Sequence, residues 1–401
     1  MLEDLKVLDL SRVLAGPYCT QLLADLGATV WKVEPPGGDE TRQWGPPYAA
    51  GESAYYLSVN RNKQGLAIDL KDPRGQELVA RLADRADVLV QNFRTGDAAR
   101  FGLDYPTLVR RNPGLVYASI TGYGQTGPRA TEPGYDAAIQ AMSGLMAMTG
   151  ESGGKPVKLG VAWVDVLAGV HAAAGVLAAL HERERTGLGQ QLDLSLFDVA
   201  LAGMVNQAQS SLLTGRVPPR LGSAHPSIVP YQSFSTADGD LALAVGNDRQ
   251  FERLCNVLER SELTHDPRFA SNEGRVLHRE ELVPIIAALL KRLPRDIWLE
   301  RLRAAGVPVA PVNTLIEALA DVQAQAREMV AEVEHPAAGV LPMVMSPYGE
   351  ATKGRREAPP LLAQHNRDVL MAELQLTQDQ LDVLERDGVV VRGAGKRSAD
   401  T

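Results

Sequence analysis

The chain has 401 residues, 45% of them apolar and 22% charged, with a net charge of −8 and only two cysteines. That is the composition of a folded globular chain of two or three domains; it excludes a disordered chain, a disulfide scaffold and a multi-thiolate metal centre. The acidity argues against a nucleic-acid partner, so any anionic ligand needs a local basic patch or backbone N–H groups.

The first residues, Met1-Leu2-Glu3-Asp4-Leu5-Lys6, show no basic stretch followed by an apolar one, so no signal peptide is expected; with so few cysteines the expected compartment is the cytoplasm. A short apolar strand is predicted over 6–10, then a helix over 16–26 with Leu22, Leu23 and Leu26 on one face and Gly27 as its stop. Strands follow over 29–34, 66–70, 87–91 and 115–121, with a helix over 72–83 that has Pro73 in its first turn. Such alternation predicts a parallel sheet covered by helices. Buried helices are predicted over 137–148, 161–184 and 194–213. Pro218, Pro219, Gly222, Pro226 and Pro230 then mark a loop-rich stretch. Strands around a turn at Ala237-Asp238-Gly239 are predicted over 231–245, helices over 250–258, 280–292 and 295–305, and an extended piece over 307–312. Strand signals return over 335–347, and a last helix over 377–385 opens on Thr377 and Gln380, spaced as a capping box. The tail 392–401 is polar and expected to be mobile.

Residues 161–180 are apolar enough to span a bilayer, but Asp165 and His171 lie inside the run and an acid there is costly in lipid. A buried helix of a globular domain, with no membrane contact, is the better reading. Gly122-Tyr-Gly-Gln-Thr-Gly127 matches G-x-G-x-x-G, yet Pro128 and the residues up to Gly134 stop a helix from starting there, so no dinucleotide site is expected. A surface turn or a glycine loop near a ligand remains. No G-x-S-x-G, H-E-x-x-H or Walker sequence occurs, and Cys19 and Cys255 read as core residues. His225, in Gly222-Ser-Ala-His-Pro226, is a candidate for substrate contact or for packing its own loop. Asp165 is the sharper candidate. A poorly solvated carboxylate can attack an activated acyl group, and it can equally be a hydrogen-bonded residue near a helix start; the residues alone leave both open.

The surroundings of Asp165 carry a resemblance. Gly160-Val-Ala-Trp-Val-Asp-Val-Leu-Ala-Gly169 and Arg185-Thr-Gly-Leu-Gly-Gln190, with Leu10-Ser-Arg-Val-Leu-Ala-Gly-Pro17, Lys32-Val-Glu-Pro35, Asp39-Glu-Thr-Arg42, Asn60-Arg-Asn-Lys63, Gln91-Asn-Phe93 and Thr121-Gly-Tyr-Gly-Gln-Thr-Gly-Pro128, resemble the class III CoA-transferases. The motifs run in order from Val7 to about Leu362. The resemblance implies an α/β fold: a large Rossmann-like domain with a parallel sheet (1–221 and, on the chain's return, 331–401), a smaller α+β domain (222–330), and an interlocked homodimer. It implies that Asp165 is the nucleophile, with coenzyme A as substrate, no tightly bound cofactor and no metal. Matching CoA positions are Val13, Leu14, Ile68, Lys71, Asn92, Phe93, Arg94, Arg100, Tyr135 and Asp136. Some relatives place an Arg where Pro35 stands, and Arg42 or Arg61 is the expected substitute for holding the adenosine phosphate. Gly222 and Gly246 are candidate backbone donors to a tetrahedral intermediate. Arg42, Arg220 and His225 form a hypothetical clamp for a distal carboxylate, since several segments look most like the succinyl-CoA:glutarate branch, whose relatives handle succinate, glutarate, malate and itaconate. Racemases of the family use a His where Tyr135 stands; a phenol with an unperturbed pKa of about 10 is a poor base at neutral pH, which favours transfer. A non-enzymatic acyl-CoA-binding protein on the same fold is the other alternative.

Overall fold

The computed structural model describes residues 1–352 and 354–393, and the chain divides into two units, one of residues 1–145, 159–215 and 323–401, the other of 146–158 and 216–322. In the first unit, β1 (Lys6–Asp9), β2 (Thr29–Glu34), β3 (Lys63–Ala67), β4 (Val88–Gln91), β5 (Val116–Thr121) and β6 (Gln191–Ser195) form one sheet in the order β3-β2-β1-β4-β5-β6. Every neighbouring pair is parallel. β6 is a correction to the sequence reading, which began a helix at 194. Its alternating Gln-Leu-Asp-Leu-Ser pattern fits an edge strand that is only partly buried.

Because side chains alternate across a strand, one sheet feeds two cores. Val7, Val88, Val90, Val116, Ala118 and Ile120 face one, against α1 (Ala15–Asp25), α4 (Trp163–Thr186) and α5 (Leu196–Gly203). Leu8, Leu89, Leu115 and Tyr117 face the other, against α2 (Pro73–Ala83). This second core also takes Val369, Leu370, Leu374 and Leu381 from α10 (Asn366–Leu374) and α11 (Gln378–Arg386). The sequence missed α10. It identified α11, where Thr377 accepts from Gln380 in a capping box. The expected helix over 137–148 is two short ones, α3 (Asp136–Met142) and Leu145–Met148, broken where Gly144 adopts φ 94°.

Trp163–Thr186 is long and apolar enough to cross a membrane by composition. It packs along α1, with Val164, Ala168, Ala172 and Val176 buried in the first core. Its small residues allow a close approach: a Cβ on Gly169 would stand 2.7 Å from the Ala15 carbonyl oxygen.

After α6 (Val205–Thr214) the second unit begins. It holds a three-stranded antiparallel sheet of β7 (Tyr231–Ser235), β8 (Asp240–Ala244) and β9 (Val309–Pro311), with α7 (Asp248–Val257), α8 (Arg279–Leu290) and α9 (Arg295–Ala304). Phe234, Leu241, Leu243, Phe251, Leu254 and Trp298 build its core. Residues 146–158 join this unit, where Arg220 donates to the Ala147 carbonyl at 2.9 Å and the Gly222 N–H to the Gly150 carbonyl at 2.9 Å. Back in the first unit, β10 (Val330–His335) and β11 (Gly339–Val344) form a hairpin. Of the tail named above, residues 394–401 lie outside the described residues.

Candidate active site

In an open sheet of this order, the chain leaves β1 and β4 in opposite directions, which opens a crevice beyond their C-terminal ends. A cleft lies there, within the first unit. Its walls include Arg12, Val13 and Leu14 after β1, Asn92, Phe93 and Arg94 after β4, and Gly122 after β5.

The β1–α1 loop is pinned from below. Asp9 accepts from the Ser11 N–H at 3.0 Å and from Lys63 at 3.1 Å; Lys32 donates to the Ser11 carbonyl at 3.0 Å and to Asp39 at 3.1 Å; Asp39 accepts from the Val13 N–H at 3.3 Å. Asn92 grips the same loop by both ends of its amide, accepting from the Arg12 N–H at 2.9 Å and donating to the Arg12 carbonyl at 2.7 Å. So held, Val13 adopts φ 69°, a left-handed conformation that a β-branched residue enters only under tertiary constraint. Gln91 accepts from the Phe93 N–H at 2.7 Å and donates to Ser119 at 2.9 Å, which orients the next wall. Arg94 is exposed at the cleft and joins no ion pair among the described residues.

Asp165 sits in the first turn of α4, 9% exposed, and lines the cleft. Its carboxylate accepts no hydrogen bond and meets no cation among the described residues. Burial, and then the neighbouring charge of Asp136, push its carboxyl up to about 7. Asp136 itself is buried. It accepts from the backbone N–H groups of Val164 at 2.8 Å and Asp165 at 3.3 Å, and from Gln140 at 2.6 Å. Tyr135, beside it, is exposed on the cleft wall. Gly122 and Gly134 cross backbone to backbone there: a Cβ on Gly134 would stand 2.5 Å from the Gly122 Cα. The G-x-G-x-x-G stretch is therefore a loop that packs closely beside the cleft; no helix starts in it, and Gly124 and Gly127 have positive φ.

Of the residues singled out in the sequence, the structure gathers Val13, Leu14, Asn92, Phe93, Arg94, Tyr135 and Asp165 around one cleft. The others lie elsewhere. The Arg42 guanidinium is buried over the Tyr56 ring, 3.7 Å from its centroid, and spends its donors on Glu34 at 2.7 Å, Glu52 at 2.7 Å and the Pro360 carbonyl. Arg61 is likewise buried against Asp25 and the Val344 carbonyl. Neither guanidinium is free for a phosphate. Ile68 is a core residue, Lys71 is exposed away from the cleft walls, and Arg100 pairs with Asp97 at 2.9 Å. Asp136 braces the Asp165 backbone and is not on the cleft wall. Arg220, Gly222, His225 and Gly246 belong to the second unit. There Gly222 and Gly246 have their N–H groups engaged, by the Gly150 carbonyl and by Gln250 at 2.7 Å. His225 accepts from the Ser227 N–H at 3.1 Å and lies 5.4 Å from the Tyr231 ring, as a residue that packs its own loop does. Sequence reasoning passed over Arg12, which lies on the cleft 3.4 Å from Glu40, although it stands inside the quoted Ser-Arg-Val-Leu motif.

The fold and cleft define an α/β protein with a cleft at the switch point of its parallel sheet and, among the described residues, an uncompensated carboxylate on the cleft wall. The chain belongs to CoA-transferase family III, whose family model matches residues 2–366, and it is a CoA-transferase. It is 47% identical to a succinate–glutarate CoA-transferase of Agrobacterium fabrum over 93% of this chain and 96% of that one. It is 42% identical to the succinyl-CoA:glutarate CoA-transferase of Mus musculus over 97% of this chain and 90% of that one. Among solved structures it resembles a CAIB/BAIF family protein from Brucella suis, with a TM-score of 0.82 and 41% identity over 92% of this chain and 98% of that one.

Proposed function

We propose that this chain transfers CoA from succinyl-CoA to a dicarboxylate, glutarate foremost, with Asp165 as the covalent nucleophile. The observation that carries the reading is the Asp165 carboxylate, buried at the cleft with no cation or donor to quench it among the described residues. The relatives named above support the substrate pair.

An Asp165 oxygen attacks the thioester carbonyl, the C–S bond breaks, and CoA leaves as thiolate while a succinyl–aspartyl anhydride forms. The thiolate attacks the aspartyl carbonyl and expels succinate, leaving an aspartyl–CoA thioester. The acceptor carboxylate attacks that carbonyl and expels the thiolate again. The thiolate then takes the acyl group from the second anhydride and returns Asp165 as a carboxylate. Each step exchanges one acyl bond for another, so the thioester energy is kept without an external energy source. Val13, Leu14, Asn92 and Phe93 form the CoA wall in this reading, and Arg94 faces its phosphates. The homodimer implied by the resemblance is supported by exposed Val205, Leu212 and Leu213 on α6.

Incubation with succinyl-CoA and a panel of dicarboxylates, read by mass spectrometry of the CoA products, should give glutaryl-CoA. Hydroxylamine should trap a hydroxamate at Asp165. Full turnover by Asp165→Ala would sink the reading.

A further inference from the structure

We infer that Asp136 is a positioning residue for the transfer: it anchors the backbone that carries Asp165 and, as a fixed negative charge beside it, disfavours the free Asp165 carboxylate relative to its acylated forms. The inference rests on Asp165 being the nucleophile.

Geometry carries the first half. α4 has no side-chain cap of its own, since its N-cap is Ala162. The acceptor comes from 28 and 29 residues earlier: Asp136 takes the Val164 N–H at 2.8 Å and the Asp165 N–H at 3.3 Å. Gln140 holds Asp136 in turn at 2.6 Å, and its own amide oxygen accepts from the Leu159 N–H at 2.9 Å, so the turn that carries the nucleophile and the segment leading into it are tied to one point.

The second half follows from charge. Asp136 joins no ion pair among the described residues, so its charge is felt by its neighbour, as the raised carboxyl of Asp165 reflects. The other groups facing this place are the Tyr55 phenol, itself pushed up to about 12 by burial, Asp165 and Asp136, and on the cleft the charges of Arg12, Glu40, Arg94 and Glu132. None pairs with Asp165. When the Asp165 oxygen bonds to the acyl carbon, its charge departs on the CoA thiolate. Two buried carboxylates then become one. Repulsion is thus confined to the free enzyme and relieved in the anhydride and thioester, which shifts the internal equilibrium toward the covalent species and makes the free carboxylate a stronger nucleophile.

Asp136→Asn keeps an oxygen acceptor for the two N–H groups and removes the charge. In a CoA-exchange assay with succinyl-CoA and glutarate, the acidic limb of kcat/KM should move down by about one pH unit. The fraction of enzyme trapped by hydroxylamine should fall severalfold, with KM for succinyl-CoA unchanged. A merely structural role would lower kcat equally at every pH, and an acidic limb that stays in place or moves up overturns the inference. Asp136→Ser, which keeps a cap acceptor without charge, gives the same reading if the Asn variant does not fold. Loss of activity in Asp165→Asn together with an unmoved limb in Asp136→Asn would leave the nucleophile standing and remove only this role.

Discussion

Two groups of buried carboxylates in the first unit meet opposite fates. Under the β1–α1 loop, Asp9 pairs with Lys63, Asp39 with Lys32 and Glu34 with Arg42. Burial alone would raise Asp9 and Asp39, but Lys63, Lys32 and the hydroxyls of Ser11, Thr20 and Thr41 outweigh it and hold both below the usual carboxylate range. At the start of α4 burial acts with the Asp136 charge and no cation among the described residues answers, so Asp165 rises. Asp9, Asp39 and Asp165 are all buried aspartates; the presence of a counter-charge separates a structural acid from a reactive one.

The sign of the stability effect follows. Asp9 and Asp39, lowered, contribute stability that is present above the ordinary carboxylate pKa and lost as pH falls through their folded values. Asp165, raised from 3.8 to about 7, takes stability away as pH climbs between those values, because the folded state holds the proton longer.

The largest expected effect breaks the contrast at the reactive end. Asp165→Asn should lower CoA exchange by about three orders of magnitude or more. The same variant should be more stable than the native chain at pH 8, by on the order of 2–4 kcal/mol, with the gain vanishing near pH 4; thermal unfolding at the two pH values reads it. Wild-type turnover should rise through about pH 7 as Asp165 ionises.

Lys63→Met attacks the structural end. It leaves Asp9 buried and unpaired, and urea unfolding should show a loss of about 3–5 kcal/mol. Gly134→Ala tests the wall beside Tyr135 and Asp136. Its Cβ must push Gly122 away, at a cost of about 1–3 kcal/mol, with a fall in kcat greater than Lys63→Met gives at a temperature where both are folded. The smallest effect sharpens the comparison from outside it. Thr377→Ala removes the cap of α11 and should cost about 1 kcal/mol with kcat unchanged.

The legible parts of the chain were those written in short spans. Strand β2, the helices over 73–83 and 295–304, and the capping box at Thr377 each depend on neighbours within a turn or two. Strand β6 was missed because an edge strand, half-exposed, lacks the apolar run of its neighbours, and α10 because its buried face only makes sense against α2. Arg42 was misplaced for a related reason. Its partners Glu34, Glu52 and the Pro360 carbonyl are 8, 10 and 318 residues away, and a guanidinium looks free until they are in place.

By itself, the sequence determined the α/β alternation, the family motifs and one conspicuous acid within an apolar helix, because periodicity and residue type are local properties. Only the tertiary structure decided which buried acids are answered by cations and which are not. That depends on Lys63 reaching Asp9 across 54 residues and on Asp136 reaching the start of α4 across 28. Coulomb interactions in a dry interior follow distance in space, and only the folded chain sets that distance.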